Sequence, residues 1–278
     1  MFLPSGLSEV RPVARRTIDR RRLTLIYAIA NQKGGVGKTT TAINLAASIA
    51  QSGERVLLVD MDSQSNATHG LSLRVPEGRR AILDVLMGEV SMASVITPSP
   101  VPGLDLAPST PDMAGASVLL PTLERREYRL KEALVGPGLP SESYSYIFID
   151  CPPSLGLLTL NALTAAERVI IPVQAEYYAL EGLAQLMSTI AAVRERLNPS
   201  LQIAGLLLTM MDPRTTLARQ VEDELRNHFP ELSFRTVVPR NVRLAEAPSH
   251  GVPVSMLDPR CAGSDAYFDL ALEVVEHG

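Results

Sequence analysis

The sequence predicts a doubly wound α/β fold, a mostly parallel sheet flanked by helices. Short apolar runs alternate with helix-patterned segments from Leu23 onward. Several of those runs, VLLVD, YIFID and VIIPV among them, are apolar without alternation, and a glycine-rich stretch, NQKGGVGKTTT (31–41), joins the first strand to the first helix. Strand then helix, repeated, is the sequence form of a parallel sheet with right-handed crossovers, and unalternated apolar strands are those covered on both faces.

Strands are expected at 23–30, 55–60, 104–107, 146–150, 168–173, 203–209 and 235–238. Helices are expected at 38–51, 81–87, 123–134, 157–166, 180–197, 217–229 and 266–276. The stretches 98–112 and 136–143 are rich in proline, glycine and serine and read as loops. No repeat or long linker divides residues 23–278, so they are predicted to form a single domain. Residues 1–22 carry six arginines against Glu9 and Asp19, a local charge of +4, with no apolar periodicity. They read as a flexible basic arm; the sharper alternative is an arm that touches nucleic acid or a partner.

The totals exclude several classes. Apolar residues make up 46% of the 278, enough for a sizeable core. A net charge of −4 offers no bulk attraction for nucleic acid, so any such surface must be a local patch. Cys151 and Cys261 are too few for a disulfide framework or a four-thiolate metal site in one subunit. No apolar run approaches the roughly 18 residues of a membrane span, and Met1–Leu7 precede the arginines, the reverse of a secretory signal. The expectation is a soluble cytoplasmic protein.

The stretch 31–41 carries the chemistry. A phosphate-binding loop wraps backbone N–H groups around a β-phosphate and aims a helix N-terminus at it, with the usual pattern G-x-x-x-x-G-K-[ST]. Gly37-Lys38-Thr39 supplies the end of that pattern, whereas Gln32 holds the first glycine's place. Lys38 would sit against the β- and γ-phosphates and Thr39 would offer its hydroxyl to Mg²⁺. Gly34, Gly35 and Gly37 permit close approach, and Val36 and Thr40 complete the cradle. An ordinary glycine-rich turn would leave Lys38 and Thr39 unexplained. The chain has only three lysines against 23 arginines, yet two of them, Lys33 and Lys38, lie in this loop.

Two further strand ends carry acids. RVLLVDMD (55–62) ends in Asp60 and Asp62, which share one side of the extended chain and would face the γ-phosphate from beyond the strand. YIFIDCPP (146–153) ends in Asp150, placed to hold Mg²⁺ through a water, as hard oxygen ligands do. Cys151 beside it reads as a small buried residue.

KGGVGKTT resembles the deviant Walker A motif of the ParA/MinD group of P-loop ATPases, and YIFID has the Walker B form. DMDSQSNAT resembles the group's second motif, whose usual form has proline and glycine where this chain has Ser63 and Ser65. Three more segments, 160–186, 206–221 and VVPRNVRLAEAPSHGVPV (237–254), look like the ParA/Soj partitioning branch, so the resemblance covers 24–276. It implies that Lys33 reaches across a homodimer to the partner's nucleotide and stabilises charge during hydrolysis. It further implies that Asp62 orients the attacking water, that Asp60 supports the Mg²⁺ shell, and that Met211, Pro239 and Arg240 border the adenine. By the same resemblance, ATP with Mg²⁺ is the cofactor and turnover is slow. The ATP dimer binds double-stranded DNA without regard to sequence through Arg214 and Arg243, and a ParB-type adaptor stimulates hydrolysis and release.

Rival readings are weaker. A membrane-bound MinD-type regulator would end in a basic amphipathic helix, but SDAYFDLALEVVEHG carries Asp265, Asp269, Glu273 and Glu276 and no lysine or arginine. An iron–sulfur ATPase needs paired switch cysteines, which Cys151 and Cys261 do not supply. A sequence-specific repressor needs a helix-turn-helix domain, for which 22 residues are too few. An enzyme acting on a small substrate has no second motif. A MinD-like positioning ATPase acting on a membrane or protein cargo stands as the alternative.

Overall fold

The structure is a computed structural model that describes residues 24–135, 139, 143–176 and 179–276. The predicted basic arm, 1–22, and most of the 136–143 loop lie outside the described residues.

The apolar runs pair as expected. Strands β1 (Leu25–Ile29), β2 (Val56–Asp60), β3 (Thr97–Pro98), β4 (Leu104–Ala107), β5 (Tyr146–Asp150), β6 (Arg168–Gln174), β7 (Gln202–Met211) and β8 (Ser233–Pro239) form one sheet. Its order is β3-β4-β2-β5-β1-β6-β7-β8, and every pair except β3 with β4 is parallel. The predicted strands match, with ends that differ by one or two residues; β3 is an added two-residue edge.

Alternate side chains along each strand enter two separate cores. Tyr27, Ile29, Leu58, Tyr146 and Phe148 face α1 (Lys38–Gln51), and the Tyr27 and Phe148 rings stack with centroids 5.4 Å apart. That face is closed by the C-terminal helix, Ala262–Glu276. Ala28, Leu57, Val59, Ile147, Ile149 and Ile171 face the other side. There the covering helices include α3 (Ile82–Met87), α6 (Arg129–Val135), α7 (Leu157–Ala165), α8 (Ala179–Arg196) and α9 (Thr216–His228). Short helices α2 (Asn66–Gly70), α4 (Met92–Val95), α5 (Ala116–Leu119), α10 (Val242–Glu246) and α11 (Val254–Leu257) fill the connections, and the C-terminal helix is α12.

One expected helix is corrected. Residues 123–128 form turns, and helix begins only at Arg129. Arg125 sits in the left-handed region at φ 50°, which ends any helical run. The buried Asn161 side chain on α7 holds this corner, donating to the Arg126 carbonyl at 2.8 Å and accepting from the Leu130 amide at 3.1 Å.

Because β1 lies between β5 and β6, the chain winds outward in both directions from it. The crevice beyond its C-terminal end is where such sheets bind ligands. The 31–37 loop leaves β1 there. The opposite edge is pinned by one acid. The β7–β8 register slips between Leu208 and its neighbours, leaving Arg235 and Thr236 outside the ladder. Buried Glu273 on α12 takes their amides at 2.7 and 3.1 Å and the Thr236 hydroxyl at 2.8 Å. Burial alone would raise this carboxyl, but the donors outweigh it and hold it below its usual range.

Glu273→Ala is expected to destabilise the protein by about 2–4 kcal/mol, since it leaves two amides without an acceptor. The lowered carboxyl makes this contribution present above the ordinary carboxylate pKa of about 4.3. It is lost as the pH falls through the native value. Denaturant titrations of both proteins at neutral pH and at successively lower pH check the magnitude and the sign.

Candidate functional site

The loop after β1 is fixed before any ligand arrives. Asn31 donates from Nδ2 to the Pro172 carbonyl at 2.7 Å and accepts the Lys33 amide at 3.0 Å. Thr209 Oγ1, from β7, donates to the Val36 carbonyl at 2.9 Å. Gly35 and Gly37 hold φ of 75° and 87°, a left-handed path that side chains disfavour, and α1 opens directly behind them. The loop thus aims the N-terminus of a 14-residue helix at the crevice.

The two lysines diverge. Lys38 is buried, and its ammonium turns back to the Lys33 carbonyl at 2.9 Å, inside the loop. Burial holds it below its usual pKa, opposed by Asp150 and Asp62. Lys33 points away, its Nζ 2.5 Å from Glu176 Oε2 in the same chain.

Three acids meet opposite Lys38. Asp60 and Asp150 are register partners at the ends of β2 and β5, both fully buried. Asp60 accepts from the Asp62 amide at 3.1 Å, the Thr68 amide at 2.9 Å and the Thr68 hydroxyl at 2.7 Å. Burial still pushes its carboxyl up to about 6. With three donors on it, Asp60 ties down the 60–68 loop.

Neither Asp150 oxygen has a well-formed hydrogen bond among the described residues. Burial and then the neighbouring Asp60 push Asp150 well above the carboxylate range, while the nearby Thr39 hydroxyl and Lys38 pull it down. Asp62 is held by its loop. Its carbonyl accepts the Ser109 hydroxyl at 2.7 Å, and its carboxylate accepts the Gln64 amide at 3.0 Å. Cys151 is buried with its thiol pushed up by burial, so it is inert packing as expected.

Sequence reasoning left Thr68 and Ser109 without a role. Thr68 lies at the end of the DMDSQSNAT motif, so its position was visible; Ser109 lies 47 residues from Asp62 and carries no local signal. Ser65 explains why glycine is usual at its place. It adopts φ 51°, at the start of α2, with its buried hydroxyl unpartnered.

Met211 and Pro239 pair across the ends of β7 and β8, and the Arg240 amide donates to the Met211 carbonyl at 2.9 Å. The Thr209 bond to Val36 ties β7 to the phosphate loop, and Met211 lies two residues further along that strand. A cleft of about 270 Å³ also runs along α1, lined by Thr39, Thr40, Asn66, His69 and Pro248 among others. Arg214 and Arg243 lie in the segments that follow β7 and β8. Each is already paired: Arg214 grips Asp212 with bonds of 2.8 and 2.7 Å, and Arg243 meets Glu246 at 2.8 Å and Asp258 at 3.2 Å. The fork on Asp212 holds that carboxyl down at about 2.

The donors fit Mg²⁺. A buried carboxylate with no well-formed hydrogen bond among the described residues and a threonine hydroxyl at a helix N-terminus are hard oxygen ligands, and Mg²⁺ completes its shell with water and phosphate oxygens. No cluster of three or more His, Cys, Asp or Glu able to hold a metal by themselves occurs among the described residues.

Residues 24–203 match the family model described as AAA domain. The chain is 54% identical over 248 residues to the chromosome-partitioning ATPase Soj of Thermus thermophilus, covering 89% of this chain and 94% of that protein. It is 50% identical over 250 residues to the chromosome partitioning protein ParA of Caulobacter vibrioides, covering 90% of this chain and 93% of that one. Among solved structures, cobyrinic acid a,c-diamide synthase from Mycobacterium smegmatis, with bound ATP analog and magnesium, superposes with a TM-score of 0.79 at 36% identity, covering 92% of this chain and 96% of that chain. With its glycine loop, strand-end acids and sheet order alike in place, the chain belongs to the Soj/ParA family of chromosome-partitioning ATPases.

Proposed function

We propose that the protein hydrolyses ATP in a Mg²⁺-dependent reaction of slow intrinsic turnover, and that its ATP-bound form is a homodimer on DNA. The observation that carries this is the meeting of Lys38, Thr39, Asp62 and Asp150 from three strand ends, with no well-formed hydrogen bond to the Asp150 oxygens among the described residues. Lys38 leaves the Lys33 carbonyl for the β- and γ-phosphates, where loop amides and the α1 dipole add to its charge. Gly34, Gly35, Val36, Gly37 and Thr40 form the rest of the cradle, and Met211, Pro239 and Arg240 border the base. Thr39 and Asp150 would hold Mg²⁺, Asp150 through a water. When bound, the ion neutralises charge on the phosphate oxygens. Asp62, fixed by Ser109 and Gln64, orients the attacking water, and Asp60 keeps that loop in register.

Lys33 serves the partner subunit's nucleotide, so the catalytic set is complete only in the pair. Positioning of this kind makes hydrolysis slow until the interface is complete. Arg214 and Arg243 contact phosphates of double-stranded DNA without reading bases, as cations on loops and helix ends do. A ParB-type adaptor bound to DNA stimulates hydrolysis and releases the protein, which is otherwise associated with the nucleoid in the cytoplasm. No helix among the described residues is long and apolar enough to cross a membrane.

Lys38→Ala is expected to weaken nucleotide binding about 30-fold or more, measured by calorimetry. Asp62→Ala should bind nucleotide normally but hydrolyse it about 100-fold more slowly, leaving a long-lived dimer on DNA; rapid phosphate release by this variant would exclude its role. Arg214→Glu should keep ATP-driven dimerisation in sedimentation while losing DNA binding. A milder Arg214→Ala should flatten the salt dependence by about two units of log–log slope per dimer. Unchanged DNA binding in both would remove this surface from the reading.

A further inference from the structure

We propose that Glu176 is a positioning residue that latches the Lys33 ammonium inside its own subunit and yields it when nucleotide-bound copies pair. This rests on the reading of Lys33 as a residue that serves the partner's phosphates. The contact itself is in the structure: Lys33 Nζ lies 2.5 Å from Glu176 Oε2, and Gln174 Nε2 lies 2.5 Å from the other oxygen, Oε1. The Glu176 amide also donates to the Gln174 carbonyl at 2.8 Å, so the carboxylate is steadied from its own strand end.

The backbone at Lys33 is held independently of this pair. Its amide donates to Asn31 and its carbonyl accepts Lys38, while Gln32 Nε2 donates to the Gly182 carbonyl at 3.2 Å. Only the Lys33 stem is free to swing. The ammonium therefore has two acceptors, the cis carboxylate with one charge and the partner's triphosphate with several, and the latter wins once it is within reach. Both groups are well exposed, at 38% and 47%. An exposed pair biases the equilibrium by a factor of about two to five, weak enough to yield and strong enough to set a threshold. Two latches open per dimer, so the effect enters the dimerisation constant twice.

Acylation of the full chain with a limiting amine reagent, read by peptide mass spectrometry, tests the contact, because Lys33, Lys38 and Lys131 are the only side-chain amines that compete, beside the α-amino group. Glu176→Gln is expected to raise Lys33 labelling about two- to fivefold relative to Lys131. In sedimentation with Mg²⁺ and a non-hydrolysable ATP mimic, Glu176→Gln should pair about tenfold more tightly, squaring a roughly threefold change. Glu176→Asp should lie between the two, and the effect should vanish in a Lys33→Gln background. Unchanged labelling, or pairing no tighter than wild type, overturns the latch. A wild-type chain that stays single under these conditions overturns the dimer reading as well, so the two failures are distinguishable.

Discussion

Asp60 and Asp150 stand side by side at the ends of adjacent strands, out of water, and two carboxylates so placed cannot both ionise without a cation. The sheet creates this constraint, because it brings the C-terminal ends of all its mutually parallel strands to the same side. The surroundings answer it unequally. Asp60 receives three donors from its own loop, while Asp150 receives no well-formed bond and faces Lys38 and Thr39. One acid of the pair organises protein, and the other has no comparable set of donors among the described residues. Lys38, itself held below its usual pKa by burial, does not cancel both charges. The site as built lacks positive charge, and a divalent ion carried by an anionic nucleotide supplies it without adding a net cation to the interior.

Much of this was legible because it is local. The glycines, Lys38 and Thr39 are contiguous, and apolar runs ending in Asp60 and Asp150 announce buried strands with acids at their tips. The register that makes those acids neighbours was not legible, since strand order is a property of the whole sheet. Nor were the bonds from Ser109 to Asp62 or from Glu176 to Lys33, which join residues 47 and 143 apart. The helix expected from 123 failed on one backbone angle: the apolar and charged spacing through that stretch is helical, but Arg125 turns left-handed and Asn161 locks the turn. The short helices of the connections escaped because four or five residues carry too little periodicity to register.

The arginines sort by company. Arg214 and Arg243 were singled out as cations, and the structure gives each an acid within its own segment, Asp212 for one and Glu246 with Asp258 for the other. These pairs fix the guanidinium planes at the cost of their net charge.

Ser65 shows how a single β-carbon can set the depth of a local energy well. Glycine reaches φ near 50° freely, whereas a serine there is raised by about 1 kcal/mol, and its hydroxyl is buried with no partner to offset this. The bent 62–66 segment therefore lies shallower in its energy well than a glycine version would. Any rearranged form in which that angle turns negative gains roughly fivefold in relative occupancy, a built-in looseness three residues from Asp62.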